Sequence, residues 1–317
     1  MVLAIAMVAS TPVWANPQAW VINSRDHASD QERVGALWSL DLATGQARLD
    51  GRSRIADFIF VEGMAFRDEE RLYGVDDDTN TLIRIGTDSG NAIAVGQSAG
   101  NLGLRSGNHD PGITYTCDDR LLVSTDSASL GVSLYEGDPE TGRLERIGDL
   151  GVPIVDMTSL GDQVYGIGRG MASDDQPASP NLYRIDIESG RAELVGPLGE
   201  EAGLYNKAGL AADADGTLWA VTDRRDPSRT AQSLASQVLR IDPATGRAER
   251  VASARAADTG AALIGIESLA IAPPLACDRG TPVESVAIPM LSAPALWMLG
   301  LLMLAVAAAP LRRQAGN

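Results

Sequence analysis

The chain has 317 residues, of which 44% are hydrophobic and 21% charged, so it can build a packed core and is not disordered throughout. Forty-two acidic residues against 26 basic ones give a formal net charge of −16. This charge repels phosphate backbones and anionic lipid surfaces, so nucleic-acid binding is not expected. The simplest explanation of the acidity is the solubility of an exported protein, and cation binding is the alternative.

The N-terminus has the composition of a secretory signal peptide. An apolar run is followed by Val13-Trp14-Ala15, which places small residues three and one positions before Asn16. This spacing is typical of a signal-peptidase cleavage site. We therefore predict that residues 1–15 are removed and that the protein is exported to the periplasm, the outer surface or the medium. A buried N-terminal strand is the alternative.

One phrase recurs along the middle of the chain. It consists of a short strand, a turn closed by glycine and a second short strand, as in LYRIDIESGRAELVG from Leu182. The five copies have their turn glycines at Gly45, Gly90, Gly142, Gly190 and Gly246. A period near 50 residues with short strands indicates a β-propeller rather than a sandwich.

Two further short strands precede each copy except the first, so four strands form one blade. The inner ones begin at Gly63, Gly112, Asp156 and Gly209, and their partners begin at Leu72, Leu121, Val164 and Leu218. The first copy has one strand before it, and we predict that its missing innermost strand is Gly265–Ala272 from the other end of the domain. That strand would complete blade one, close the ring and remove free edges.

This pattern predicts an all-β domain over residues 16–274 with five blades. Six blades are the alternative if residues 52–60 contain further strands. The repeats resemble the quinoprotein-dehydrogenase-like or NHL-like propellers of exported bacterial proteins.

The C-terminal region begins with a predicted linker at residues 275–287 and continues as a hydrophobic helix. Ala293 to Leu311 carries no charge and would form a helix about 28 Å long, near the thickness of a bilayer core. Arg312 and Arg313 follow at once. The positive-inside rule keeps this pair cytoplasmic and places the propeller outside.

The tail, residues 288–317, resembles the C-terminal sorting signals of Gram-negative bacteria. It is most similar to the IPTL-CTERM class, related to PEP-CTERM, which begins Ile-Pro-Thr-Leu-Ser. The corresponding residues are Ile288, Pro289, Met290, Leu291 and Ser292, with methionine in place of threonine. The resemblance implies inner-membrane anchoring followed by processing by an exosortase-like enzyme. A plain membrane anchor is the alternative.

Cys117 and Cys277 are the two cysteines. An oxidising compartment permits a disulfide between them, but their positions in the sequence do not show whether they meet. Neither lies in a metal-binding or redox spacing.

The candidate site residues lie where the innermost strands are predicted to begin. They are Glu62, Asp110, Asp156, Asn206 and Glu267. Carboxylates with an asparagine suit Ca²⁺ or another hard divalent cation. The alternative is that these are turn and strand-cap residues of an acidic protein.

Glu62-Gly63-Met64 also resembles the Glu-Gly-Pro start of gluconolactonase and regucalcin-like propellers, which hydrolyse lactones with a divalent metal. The resemblance implies that Glu62 is a metal ligand, with Asn206 and either Asp156 or Glu267 as partners. When the blades are aligned by counting back from the second strand of each, however, Glu62 aligns with Pro111 and Ala208 and not with Asp110 and Asn206.

Three long loops between second and third strands belong to neighbouring blades and would cluster on one face. They are Arg25–Gly35, Arg169–Pro180 and Asp223–Ser236. Unconstrained drift in loop length is the alternative.

His109 and Asp110 with Ser127 or Ser106 could be arranged as a triad, but no Gly-x-Ser-x-Gly motif is present, so a serine hydrolase is not expected. The predicted function is an exported, envelope- or surface-associated binding or scaffold role without catalysis, toward an unidentified surface or matrix ligand. The alternatives are a divalent-metal lactonase-like hydrolase and a structural component of an extracellular matrix.

Overall fold

The computed structural model of the chain describes residues 17–23, 34–50, 58–105, 107, 109–127, 129–172 and 178–272. The predicted signal peptide, linker and sorting tail lie outside the described residues, as does most of the segment considered for a sixth blade. Among the described residues, no helix has the length and apolar character needed to cross a membrane.

The described strands form five sheets, antiparallel except for one pair at an outer edge, which confirms the five-bladed propeller. Blade one contains β1 (Gln18–Asn23), β2 (Leu37–Leu40) and β3 (Gln46–Leu49). Blade two contains β4 (Val61–Phe66), β5 (Leu72–Asp76), β6 (Thr81–Ile85) and β7 (Ala92–Ala94). Blade three contains β8 (Gly112–Tyr115), β9 (Leu121–Ser127), β10 (Gly131–Gly137) and β11 (Leu144–Asp149). Blade four contains β12 (Ile154–Leu160), β13 (Gln163–Gly168), β14 (Asn181–Asp186) and β15 (Arg191–Pro197). Blade five contains β16 (Tyr205–Ala212), β17 (Leu218–Asp226), β18 (Arg229–Ser233), β19 (Gln237–Ile241) and β20 (Ala248–Ser253).

Ring closure follows the prediction. The last strand, β22 (Ile266–Ala272), pairs antiparallel with β1 and is the innermost strand of blade one. The two-residue strand β21 (Arg255–Ala256) adds a second closure that the sequence did not indicate, because it pairs in parallel with β3 at the outer edge. Blade one is therefore held at both edges by the segment that follows blade five.

Apolar side chains fill the spaces between neighbouring blades. Between blades five and one, Trp38 and Val21 pack with Val221 and Leu269, and all four are almost fully buried. Removing this apolar surface from water is the main force that holds the sheets face to face.

The glycines of the repeated phrase form contacts between blades. The Gly190 amide donates to the Asp186 carbonyl at 2.8 Å, and Gly190 has a φ of 74°, which favours glycine. This turn of blade four lies against the end of β11 in blade three, where a Cβ on Gly148 would lie 2.0 Å from the Ser189 carbonyl oxygen. Gly196 and the Thr245 carbonyl oxygen repeat the contact between blades four and five, at 2.1 Å for an added Cβ. In these two copies the phrase ends in glycine because the next blade touches it there.

Candidate functional site

The innermost strands β22, β4, β8, β12 and β16 line the centre of the ring and approach each other closely. A Cβ on Gly63 would lie 2.8 Å from the Pro111 carbonyl oxygen, and one on Gly209 would lie 2.3 Å from the Leu269 nitrogen. We call the face where these strands begin the upper face. β22 ends at the opposite face.

β-Bulges lie at the upper ends of four inner strands. The bulge in β12 holds Val155, and the other three place charged residues there. Val61 pairs with Asp76 and Gly63 with Val75, which leaves Glu62 as the extra residue. Glu267 is the extra residue at the equivalent place in β22. In β16, Asn206 and Lys207 fall within a similar register shift. Bulges of this kind redirect side chains and are common beside functional sites.

Two of the redirected side chains, Glu62 and Lys207, belong to an ion-paired group at the upper end of the central channel. We call it the mouth cluster and define it as Glu62, Asp77, Asp110, Asp126, Arg169 and Lys207. The Lys207 ammonium is hydrogen-bonded to Glu62 Oε1 and Asp110 Oδ1. Its side chain is 12% exposed and that of Glu62 is 7% exposed, so this pair is largely removed from water.

Arg169 forms the second half of the mouth cluster. Its Nε donates to Asp126 Oδ2 at 3.0 Å and its Nη2 to Asp126 Oδ1 at 2.9 Å, in a bidentate pair. Nη2 also contacts Asp110 Oδ2. Asp110 therefore joins the two cations of the cluster.

His109 fixes the conformation of Asp110. Asp110 has a φ of 48°, which is uncommon for a residue other than glycine. The His109 amide donates to Asp77 Oδ1 at 2.6 Å, and the His109 carbonyl accepts from the Asp126 amide at 2.9 Å. His109, which precedes the strained Asp110, is thus hydrogen-bonded to both blade two and blade three.

Three carboxylates of the mouth cluster lie close enough together to be candidate ligands of a metal ion. One oxygen from each of Glu62, Asp77 and Asp110 lies within 4.8 Å of the others. The Lys207 ammonium, however, is bound to two of these three side chains. The second oxygen of Glu62 is buried and has no hydrogen-bond partner among the described residues. A divalent ion at these oxygens would therefore compete with the Lys207 ammonium for Glu62 and Asp110.

Burial and charge shift the pKa values of the cluster in opposite directions. Burial raises the pKa of Glu62 well above its usual value, and the attraction of Lys207 opposes this. Burial likewise raises the pKa of Asp77 to about 6 and that of Asp126 to about 9. For Asp110 burial is outweighed, and Lys207 and Arg169 hold its pKa well below the usual value. Burial is also outweighed at Lys207, where Glu62 and Asp110 raise the pKa.

The raised pKa values of Asp77 and Asp126 predict that the stability of the fold decreases as the pH rises from 3.8 to about 9. Asp77 and Asp126 have an ordinary pKa of 3.8, so the folded chain binds more protons than the unfolded chain up to about pH 6 and about pH 9, respectively. The free energy of unfolding should therefore decrease with pH in this window, by up to about 1.4 kcal/mol per pH unit for each extra proton. Urea denaturation at a series of pH values measures it. Asp126→Asn should flatten the decrease above about pH 6, and a stability that rises across the window would contradict the assignment.

The other predicted site residues have different surroundings. Asp156 is fully buried, and its carboxylate accepts the Ile113 amide at 3.2 Å and the Leu210 amide at 2.7 Å. It therefore joins the inner strands of blades three, four and five. Asn206 is half-buried in the bulge beside Lys207. Glu267 is 6% exposed, and its charge acts on both Glu62 and Lys207.

Two further predictions concern segments that the structure describes in part. Cys117 lies in the turn between β8 and β9, whereas Cys277 lies outside the described residues, so their pairing stays a prediction. The predicted loop Arg169–Pro180 begins with the arginine of the mouth cluster. The predicted loop Asp223–Ser236 is partly strand, because β17 continues to Asp226 and pairs with β18.

Sequence reasoning missed Asp77, Asp126, Arg169 and Lys207. One signal was available: Lys207 is the only lysine of the chain, and every other basic residue is an arginine. A single lysine at the start of an inner strand, among acidic residues, marks a position where a flexible point charge is needed.

The sequence matches no protein-family model and no curated protein. Solved structures with a similar fold include the nidogen/laminin complex, at 14% identity, 82% coverage of this chain, 99% of that chain and a TM-score of 0.48. Streptogramin B lyase is similar at 17% identity, and the match covers 74% of this chain and 68% of that chain with a TM-score of 0.39. Kuenenia stuttgartiensis hydrazine synthase is similar at 16% identity over 63% of this chain, with a TM-score of 0.38, and this chain spans 51% of it. The assignment as a β-propeller rests on the five sheets.

Proposed function

We propose that this chain is an exported β-propeller of the bacterial envelope or surface, and that it acts by binding a polar surface or matrix ligand at its mouth cluster. The observation that carries the proposal is the buried ammonium of Lys207 between Glu62 and Asp110. It gives the channel mouth a fixed pattern of charge without a metal.

The exposure of the cluster supports a binding role. The Asp110 side chain is 17% exposed and that of Lys207 12%, so a small part of each is open to solvent while the rest of the cluster holds them. Preorganised charges of this kind recognise a ligand with complementary polar groups at low entropic cost. The sequence of residues 1–15 supports export, and that of residues 288–317 supports anchoring followed by exosortase-like processing.

A divalent-metal lactonase-like hydrolase is the second candidate. The convergence of Glu62, Asp77 and Asp110, with one unpartnered oxygen on Glu62, favours it. If Ca²⁺ or another divalent ion bound there, it would polarise a carbonyl oxygen. The ammonium of Lys207 stands against this candidate, since it would have to leave before an ion could reach Glu62 and Asp110.

Photo-crosslinking from the two faces tests the binding role. A photoreactive residue is placed at Asn206 beside the mouth cluster or, as the control, at Asp162, an exposed turn residue at the opposite face. Both full-length variants are expressed in a Gram-negative host, irradiated in intact cells and checked for folding by thermal unfolding. We expect a discrete adduct from Asn206 and none from Asp162.

The other outcomes separate the alternatives. Adducts of similar yield from both faces would indicate a structural matrix component packed on all sides. No adduct from Asn206, together with lactone turnover by the purified protein that EDTA abolishes, would replace the binding role with the hydrolase.

A further inference from the structure

His109 and Ser127 form a hydrogen-bonded pair at the upper face. His109 Nδ1 lies 2.9 Å from Ser127 Oγ, and His109 Nε2 lies 2.7 Å from the Arg105 carbonyl oxygen. A carbonyl oxygen only accepts hydrogen bonds, so Nε2 carries the proton of the neutral ring. Nδ1 is therefore the acceptor, and the Ser127 hydroxyl donates to it.

This order of groups is that of an activated nucleophile. The base must be within hydrogen-bond reach of the hydroxyl, and its other nitrogen must be held by a third group. Here His109 is fully buried and fixed by the Arg105 carbonyl, whereas Ser127 is half-buried at the end of β9. The backbone amide of His109 also donates to Asp77 Oδ1 at 2.6 Å, which holds the residue in place.

We propose that Ser127 is a nucleophile toward small activated carboxylic esters, with His109 as its general base. This activity goes beyond the binding role and does not depend on it. The absence of a Gly-x-Ser-x-Gly motif excludes the strand-turn-helix geometry of one hydrolase class, but the serine here is the last residue of β9.

The reaction has two steps, acylation of Ser127 and hydrolysis of the acyl-enzyme. Ser127 Oγ forms a bond to the acyl carbon, the bond from that carbon to the leaving oxygen breaks, and the hydroxyl proton passes through His109 Nδ1 to the leaving oxygen. Water then attacks the acyl carbon and the bond to Ser127 Oγ breaks. One proton of the water returns through His109 to Ser127.

The test uses an alkyl fluorophosphonate, which traps serine nucleophiles as the phosphorus–fluorine bond breaks and fluoride leaves. Full-length protein is incubated with the probe, and adducts are located by peptide mass spectrometry. We expect the adduct on Ser127 to form about 100-fold faster in folded protein than in urea-unfolded protein, the lower end of the effect of a positioned general base.

Ser129 is the matched control, because it is exposed and its Oγ lies 3.3 Å from Ser127 Oγ. Ser127→Ala should abolish the adduct, and Ser129→Ala should still give the adduct on Ser127. An adduct that forms equally fast in unfolded protein, that lies on Ser129, or that is absent from folded wild-type protein would overturn the proposal. Because the comparison of folded with unfolded wild type needs no variant, it stands even if a substitution prevents folding.

Discussion

Replacing Lys207 with methionine is expected to lower the free energy of unfolding by roughly 3 to 5 kcal/mol, as when one partner of a buried ion pair is removed. Glu62 and Asp110 would lose their shared ammonium while remaining largely buried. Urea denaturation of the purified protein measures the loss.

Arg84→Met is the matched control for that measurement. Arg84 is an exposed residue of β6, and its replacement should cost no more than about 0.5 kcal/mol. The double variant Lys207→Met, Glu62→Gln should recover part of the loss, since the neutral glutamine needs no ammonium beside it. A loss below about 1 kcal/mol in the single variant would show that the ammonium is not the charge that holds the cluster together.

Replacing Gly148 with alanine is expected to cost about 3 kcal/mol, at the upper end of the usual range for overpacking. The added Cβ would lie 2.0 Å from the Ser189 carbonyl oxygen, a backbone atom that cannot rotate away. Relief requires the two blades to separate, which exposes apolar surface between them. Urea or thermal denaturation measures the cost.

Gly151→Ala separates crowding from backbone strain. Gly151 has a φ of 77° and nothing within 4 Å of an added Cβ, so this variant is strained but not crowded. We expect it to cost about 1 kcal/mol. If Gly148→Ala costs no more than Gly151→Ala, the blades do not pack through the glycines of the repeated phrase.

The fold could be predicted largely from sequence because each blade repeats the same local pattern. Alternation of apolar residues and the turn glycines located four strands per repeat, and the missing strand of blade one identified β22 as the closing strand. Two details were beyond this reasoning. β21 is only two residues long, and the hairpin of β17 and β18 lies in a segment with the composition of a loop.

The site was predicted only in part, because bulges decide which side chains enter the channel. Glu62 and Glu267 lie in bulges. The same reasoning selects Asp156 as a metal ligand. Asp156 instead aligns with Gly63 and Gly209, one position further along the strand than Glu62, and its carboxylate accepts hydrogen bonds from the neighbouring inner strands. The cations Arg169 and Lys207 escaped notice because their pairing depends on contacts between blades that are far apart in sequence.

The most direct test of the account is the unfolding free energy of the wild-type protein measured in EDTA, in Ca²⁺ and in Mn²⁺. If Lys207 supplies the cation of the mouth cluster, the three values should agree, and Lys207→Met should be the variant that gains stability from an ion. A wild-type stabilisation near the 2.7 kcal/mol expected at 100 times the dissociation constant, lost in Glu62→Gln, would contradict the account and establish a metal site at the mouth.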